Sequence, residues 1–125
     1  MANYTLEGSP KTPTVLFEDA TGRLELKGRS IPENSIEFYK PSTDWIDRYA
    51  RDPRPSTGLH VQLEYFNTSS SKCILDLFKK LELVRATGNE VIVYWHYEAD
   101  DEDMLEAGED YQAIINIPFK MIQIE

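Results

Sequence analysis

The sequence predicts a single α/β (α+β) domain, with a mixed, largely parallel sheet opening on an antiparallel hairpin and elements in the order β-β-α-β-α-β-α-β. Three observations lead there. Stretches of period-two alternation trade places with stretches of helical period, the pattern of parallel strands joined by covering helices. The chain has 125 residues, which is one domain by size and enough to bury a core. No linker, internal repeat or low-complexity tract divides it, so residues 1–125 read as one unit.

Each element has a local reason. Asn3 to Pro13 is polar and carries Gly8, Pro10 and Pro13, so residues 1–12 read as an extended lead-in. Thr14-Val15-Leu16-Phe17-Glu18 and the strictly alternating Arg23-Leu24-Glu25-Leu26-Lys27 flank the turn Asp19-Ala20-Thr21-Gly22, and form the hairpin. In Glu33–Asp52, Ile36, Tyr39, Trp45, Ile46 and Tyr49 recur at helical spacing. Pro41 lacks an N–H and its ring crowds the preceding turn, so the expectation is one turn over Asn34–Tyr39 and a main helix from about Ser42.

After the loop Asp52–Gly58, Leu59–Phe66 alternates and then becomes apolar, as a central strand does. Ile74, Leu77, Phe78, Leu81 and Val84 then mark an amphipathic helix that stops at Gly88, placed as a C-terminal cap. Glu90–Tyr97 is β-branched and aromatic and is the most strand-like run of the chain. A short helix between Asp101 and Ile114 and a last strand over Pro118–Ile124 complete the order.

Composition excludes several functions. The 22 acids against 13 bases give a formal net charge of −9, and the excess is local: Glu98 to Asp110 holds eight acids and no base. Clustered Lys and Arg, which nucleic acids and anionic membranes require, are absent. The single cysteine, Cys73, forms no internal disulfide, and no secretory leader or apolar run of membrane-spanning length is visible. A cytoplasmic protein is expected, in which the N-x-[ST] matches at Asn3 and Asn67 are chance occurrences.

Motifs for catalysis are scarce. There is no phosphate loop, no Cys-x-x-Cys and no His-x-x-x-His, and no cofactor or metal is expected. His60 and His96 stand alone on strands and read as hydrogen-bonded structural residues. Cys73 reads as a small buried apolar residue, although a first-turn position would let the helix dipole lower its pKa. The run Glu98-Ala99-Asp100-Asp101-Glu102-Asp103 invites a calcium reading, but its carboxylates are contiguous and Gly108 is out of register. A solvated face is expected, with docking of a basic partner as the functional alternative. A small hydrolase using residues 98–110 with His96 lacks a nucleophile.

Asn67-Thr68-Ser69-Ser70-Ser71-Lys72 stands out. It lies where a strand ends and a helix begins, so one hydroxyl among Thr68–Ser71 can cap the free N–H groups, worth about 1 kcal/mol. Four hydroxyls in a row exceed what capping needs. A phosphate on the first turn would be favoured by the helix dipole and would set nearly two negative charges on the surface. This chemistry does not choose among the four.

That segment, with Gly28-Arg29-Ser30-Ile31-Pro32-Glu33-Asn34-Ser35, Phe38-Tyr39-Lys40-Pro41, Asp44-Trp45 and Tyr94-Trp95-His96-Tyr97-Glu98, resembles the SiaC family of bacterial regulatory phosphoproteins over roughly residues 10–124. The resemblance implies a single STAS-like domain, similar to anti-sigma-factor antagonists, and a non-enzymatic partner-switching role. It picks Thr68 as the phosphorylated residue, with Asn67, Ser69, Ser70 and Ser71 as its surroundings. It implies a dedicated Ser/Thr kinase, a PPM-type phosphatase, and an unphosphorylated form that activates a diguanylate cyclase and so promotes cyclic-di-GMP synthesis, aggregation and biofilm formation. An anti-sigma kinase as partner would leave the same switch segment.

Overall fold

A computed structural model describes residues 1–124. Six strands and three helices follow one another as β1 (Tyr4–Leu6), β2 (Thr14–Phe17), β3 (Arg23–Ser30), α1 (Ser35–Tyr49), β4 (Ser56–Phe66), α2 (Thr68–Ala86), β5 (Glu90–Glu98), α3 (Glu102–Ile114) and β6 (Phe119–Ile124). The sheet is mixed α/β as expected, and its strand order in space equals the order in sequence. β1, β2 and β3 form an antiparallel meander, and β3 to β6 are parallel.

The parallel half sets the layering. Each crossover moves one strand over in the same direction, and right-handed crossovers of that kind put every helix on one face. Burial agrees. Leu24, Leu26, Leu59, Val61, Val91, Val93 and Trp95 point under the helices and are almost fully buried, while the alternating Glu25, His60, Gln62, Tyr94 and His96 are half-exposed on the other face. The helices close the core with Trp45, Ile46 and Tyr49 from α1, Ile74, Leu77, Phe78 and Leu81 from α2, and Met104 and Tyr111 from α3.

Several details differ from the sequence reading, among them β3, which runs to Ser30, three residues past the expected Lys27. The lead-in contains a strand, β1, so the order is β-β-β-α-β-α-β-α-β. Its pairing of Tyr4 with Phe17 and of Leu6 with Val15 is a tertiary effect on a three-residue segment, held by the Tyr4–Phe17 ring contact and by Trp45 Nε1 donating to the Ala2 carbonyl at 2.9 Å. α1 runs unbroken through Pro41. Pro41 lies on the solvent side, the buried Tyr39, Ser42, Trp45 and Ile46 hold the turns before and after it, and Thr43 Oγ1 donates to the Lys40 carbonyl at 3.0 Å. β4 begins at Ser56, inside the expected loop, because Ser56–Gly58 pair with β5 and Gly58 lies beneath the Tyr94 ring. Cys73 is the sixth residue of α2 rather than part of its first turn.

Gly28 adopts φ +121°, and the pairing of β3 with β4 slips there: Gly28 faces Leu63 but Arg29 faces Tyr65. The extra residue in β4, a bulge, lies just before Asn67. As a central strand, β4 carries the Thr68 junction into the middle of the sheet's C-terminal edge.

Candidate functional site

The ends of β3 and β4 and the starts of α1 and α2 meet in one cluster of hydroxyls. Asn67, in extended conformation, caps α2: its Oδ1 accepts from Ser70 N at 2.9 Å, and its own N–H donates to the Ser30 carbonyl at 3.0 Å. The cap is therefore Asn67 and not one of the four hydroxyls, which correspondingly serve other ends. Asn34 plays the same part for α1 through Glu37 N at 3.1 Å.

Ser70 is fully buried. Ser30 Oγ donates to Ser70 Oγ at 2.8 Å, and Ser70 Oγ donates to the Ser30 carbonyl at 3.1 Å. With its one proton given to Ser70, Ser30 Oγ accepts from the Tyr39 hydroxyl at 2.6 Å. Burial raises the Tyr39 hydroxyl far above its ordinary pKa, which keeps it a donor. Ser69 Oγ donates to Asn67 Oδ1 at 3.2 Å and accepts from Ser35 Oγ at 2.7 Å. Ser71 is tied to α3, since the Tyr111 hydroxyl donates to the Ser71 carbonyl at 2.8 Å and lies 3.0 Å from Ser71 Oγ.

Thr68 differs from all three. It is the first residue of α2, it is exposed, and among the described residues its hydroxyl makes no hydrogen bond. No acid stands in the first turn of α2. Lys72 lies one turn further along the same face, exposed and outside every ion pair among the described residues. Ser30, Ser35, Tyr39 and Tyr111 complete the cluster, and sequence reasoning gave none of them a role there. Ser30 and Ser35 fall in one of the stretches shared with the SiaC family, which was the only signal pointing to them.

The other candidates lie apart. His60 and His96 meet on the uncovered sheet face, with His60 Nδ1 3.3 Å from His96 Nε2 and Arg23 Nη1 3.2 Å from His60 Nε2. A guanidinium only donates, so His60 Nε2 accepts and Nδ1–H points at His96. Burial, then the Arg23 charge, hold both imidazoles below the ordinary 6.5. Tyr94 stacks on His60 with ring centroids 4.4 Å apart. His96 also borders a pocket of about 380 Å³ with Tyr97, Glu98 and Asp101, but its Nε2 is engaged by His60 and, among the described residues, no Ser, Thr or Cys lines the pocket. No group of three or more His, Cys, Asp or Glu among the described residues is placed to hold a metal ion.

The acidic segment forms the end of β5 and most of α3, with Asp101 capping the helix through Met104 N at 3.0 Å. Its other carboxylates are exposed or partly so. Cys73 is buried, and burial pushes its thiol pKa up. No helix among the described residues is long and apolar enough to cross a membrane.

The chain is similar to known proteins over nearly its whole length. The model of the SiaC family of regulatory phosphoproteins matches residues 6–124. An uncharacterised protein of Pseudomonas aeruginosa strain UCBPP-PA14 is 33% identical over 119 residues, covering 95% of this chain and 94% of its own. SiaC of Pseudomonas aeruginosa superposes with a TM-score of 0.91 at 31% identity, over 99% of this chain and 100% of that one. A chain in the crystal structure of the diguanylate cyclase SiaD in complex with its activator SiaC, from the same organism, gives a TM-score of 0.91 at 31% identity, over 97% and 99%. With its sheet order, its hydroxyl-bearing β4–α2 junction and these matches together, the chain belongs to the SiaC family of regulatory phosphoproteins, and is a regulator rather than an enzyme.

Proposed function

We propose that this chain is a partner-switching phosphoprotein whose state is written on Thr68. Unphosphorylated, it binds and activates a diguanylate cyclase, as the SiaC relative is described to activate SiaD, and so raises cyclic-di-GMP and promotes aggregation and biofilm formation. A dedicated Ser/Thr kinase adds phosphate to Thr68 and a PPM-type phosphatase removes it. The switch operates in the cytoplasm, where cyclase, nucleotide and kinase meet.

The observation that carries the reading is the inequality of the four hydroxyls. Ser69, Ser70 and Ser71 are bonded to Asn67, Ser30 and Tyr111, whereas Thr68 is exposed with its hydroxyl unengaged among the described residues. A kinase can reach Thr68 without opening the fold. The product would carry about −1.5 to −2 charge at the positive end of α2, close to Lys72. The fold tolerates that charge, and a partner seated on the same surface meets like-charge repulsion and desolvation.

Phosphopeptide mapping of the protein from its native host tests the site; modification confined to Ser70 or Ser71, or absent in every growth state, overturns it. Pull-down with the cognate cyclase tests the switch. Thr68→Asp is expected to lose binding with its circular dichroism unchanged, and Thr68→Ala to bind in every growth state. Retention of the cyclase by Thr68→Asp, or capture of an anti-sigma kinase in place of a cyclase, refutes it.

A further inference from the structure

Exposure alone does not single out Thr68. Ser70 is fully buried and Ser71 partly so, but Ser69, the second residue of α2, is exposed like Thr68. Electrostatics does not separate the two either. Both lie in the first turn, where free N–H groups and the positive end of the dipole favour a phosphate. Lys72 stands four residues after Thr68 and three after Ser69, within one turn of each. The two hydroxyls differ in how they are held.

Ser69 Oγ gives its proton to Asn67 Oδ1 at 3.2 Å and takes one from Ser35 Oγ at 2.7 Å. The first bond is internal to the segment, whereas the second comes from α1. Ser35 is the first residue of that helix and only 4% exposed. The other hydroxyl near it, Ser70 Oγ, lies at 3.4 Å and is already held by Ser30, so the Ser35 proton goes to Ser69. Phosphoryl transfer makes the distinction count. The hydroxyl oxygen attacks the γ-phosphorus of a nucleoside triphosphate in line, and the Oγ–P bond forms as the bond to the leaving nucleoside diphosphate breaks. The hydroxyl proton passes to a base of the kinase. Thr68 offers a free lone pair and a free proton as it stands. Ser69 has to turn away from Ser35 and Asn67 first, which gives up two hydrogen bonds.

We propose that Ser35 is a specificity-determining residue of the phosphorylation site: by holding the Ser69 hydroxyl it confines phosphate to Thr68, and Ser69 is a second acceptor that Ser35 keeps closed. This rests on Thr68 being the phosphosite, and adds that α1 of the substrate, and not the kinase alone, makes the choice between two exposed neighbours. Ser30 and Tyr39 secure Ser70 and make no hydrogen bond to Ser69 among the described residues, so they take no part in that choice.

The test is phosphopeptide mapping of full-length variants expressed in the native host, in the growth state where wild-type Thr68 carries most phosphate. In Thr68→Ala, Ser69 is expected to carry little phosphate. In Thr68→Ala/Ser35→Ala its occupancy should rise about twofold to tenfold, the factor that one hydrogen bond carries. Ser35→Ala alone should be modified on Ser69 as well as on Thr68. Thr68→Ala/Ser35→Cys keeps nearly the size of serine with a weaker donor, so it should fall between, and its ranking decides the matter where a lowered Tm shows that alanine loosens the fold. Thr68→Ala/Tyr39→Phe loosens the same cluster through Ser30 and should leave Ser69 as in Thr68→Ala. If Tyr39→Phe opens Ser69 as far as Ser35→Ala does, general loosening is the cause and the proposal fails. It fails too if Ser35→Ala leaves Ser69 unmodified, or if Thr68→Ala alone already carries on Ser69 the phosphate that wild type carries on Thr68. In those three outcomes wild-type phosphate on Thr68 leaves the phosphosite standing; a wild type without it overturns both readings.

Discussion

Helices α2 and α3 both begin just beyond a central parallel strand, and each is capped from the preceding residue: Asn67 Oδ1 takes Ser70 N at 2.9 Å, and Asp101 Oδ1 takes Met104 N at 3.0 Å. The residues after the caps differ. α3 has Glu102 and Asp103 in its first turn, so fixed carboxylates meet the positive end of its dipole. α2 has no acid there and carries Thr68, Ser69 and Ser70 instead. One junction is neutralised permanently. The other has the same free N–H groups and no fixed anion beside them, the place that the phosphate on Thr68 takes in the function proposed above.

The comparison would break if the hydroxyls of α2 were interchangeable as charge acceptors. Ser70→Asp puts a carboxylate where Ser70 is fully buried between the Ser30 hydroxyl and carbonyl, and the carbonyl can only repel it. A loss of about 3–5 kcal/mol is expected, the range for an uncompensated buried charge, read from the urea midpoint. A variant as stable as wild type would show that the inequality among the hydroxyls is illusory.

The α3 side is sharpened by Gly108. A Cβ there would lie 2.5 Å from Trp95 Cδ1 and 2.7 Å from Met121 Cε, so α3 packs on β5 only through the missing side chain. Gly108→Ala gains about 1 kcal/mol of helix propensity and loses about 1–3 to overpacking. A net loss of up to about 2 kcal/mol is expected, and a raised Tm would count against the tight seat. Gly108, out of register for a calcium loop, has its use in packing.

Next come the caps. Asn67→Ala and Asp101→Ala should each cost about 1 kcal/mol by denaturant titration. Asn67 is expected to cost more, because its Oδ1 also holds Ser69 Oγ. Equal losses would mean that the Ser69 link contributes nothing.

How much of this was legible depends on sequence separation. Ile74, Leu77, Phe78, Leu81 and Val84 announce α2, and Val91, Val93 and Trp95 announce β5, because their periodicity is local and the core faces them. β1 leaves no local signal, because three residues with polar neighbours become a strand only by pairing with β2. The break at Pro41 was expected from a local rule that buried residues on both sides override. The site shows the same division. Helix-start chemistry located the Thr68–Ser71 segment, but the partners that separate its members, Ser30, Ser35 and Tyr111, lie 40, 34 and 40 residues away from the hydroxyls they hold. Without those contacts the four hydroxyls look alike, and the choice of Thr68 came from resemblance alone.

The smallest expected effect addresses the comparison most directly. Thr68→Asp places at the start of α2 the kind of charge that α3 carries in Glu102, at an exposed position where the wild-type hydroxyl has no partner among the described residues. Its carboxylate faces free N–H groups and Lys72 lies one turn on, so the variant should be more stable than wild type by about 0.3–1 kcal/mol at low ionic strength. Thr68→Ala, which removes no cap, should lie within about 0.5 kcal/mol of wild type. The gain should shrink as salt rises, since an exposed charge near a helix end is screened. Glu102→Gln should lose a comparable amount, with the same salt dependence. If Thr68→Asp were destabilising, the first turn of α2 would not be a place prepared for an anion, and phosphate there would act by straining the helix. A small salt-sensitive gain, found in the same variant that loses the partner, would mean that the charge releases the partner while leaving the fold intact.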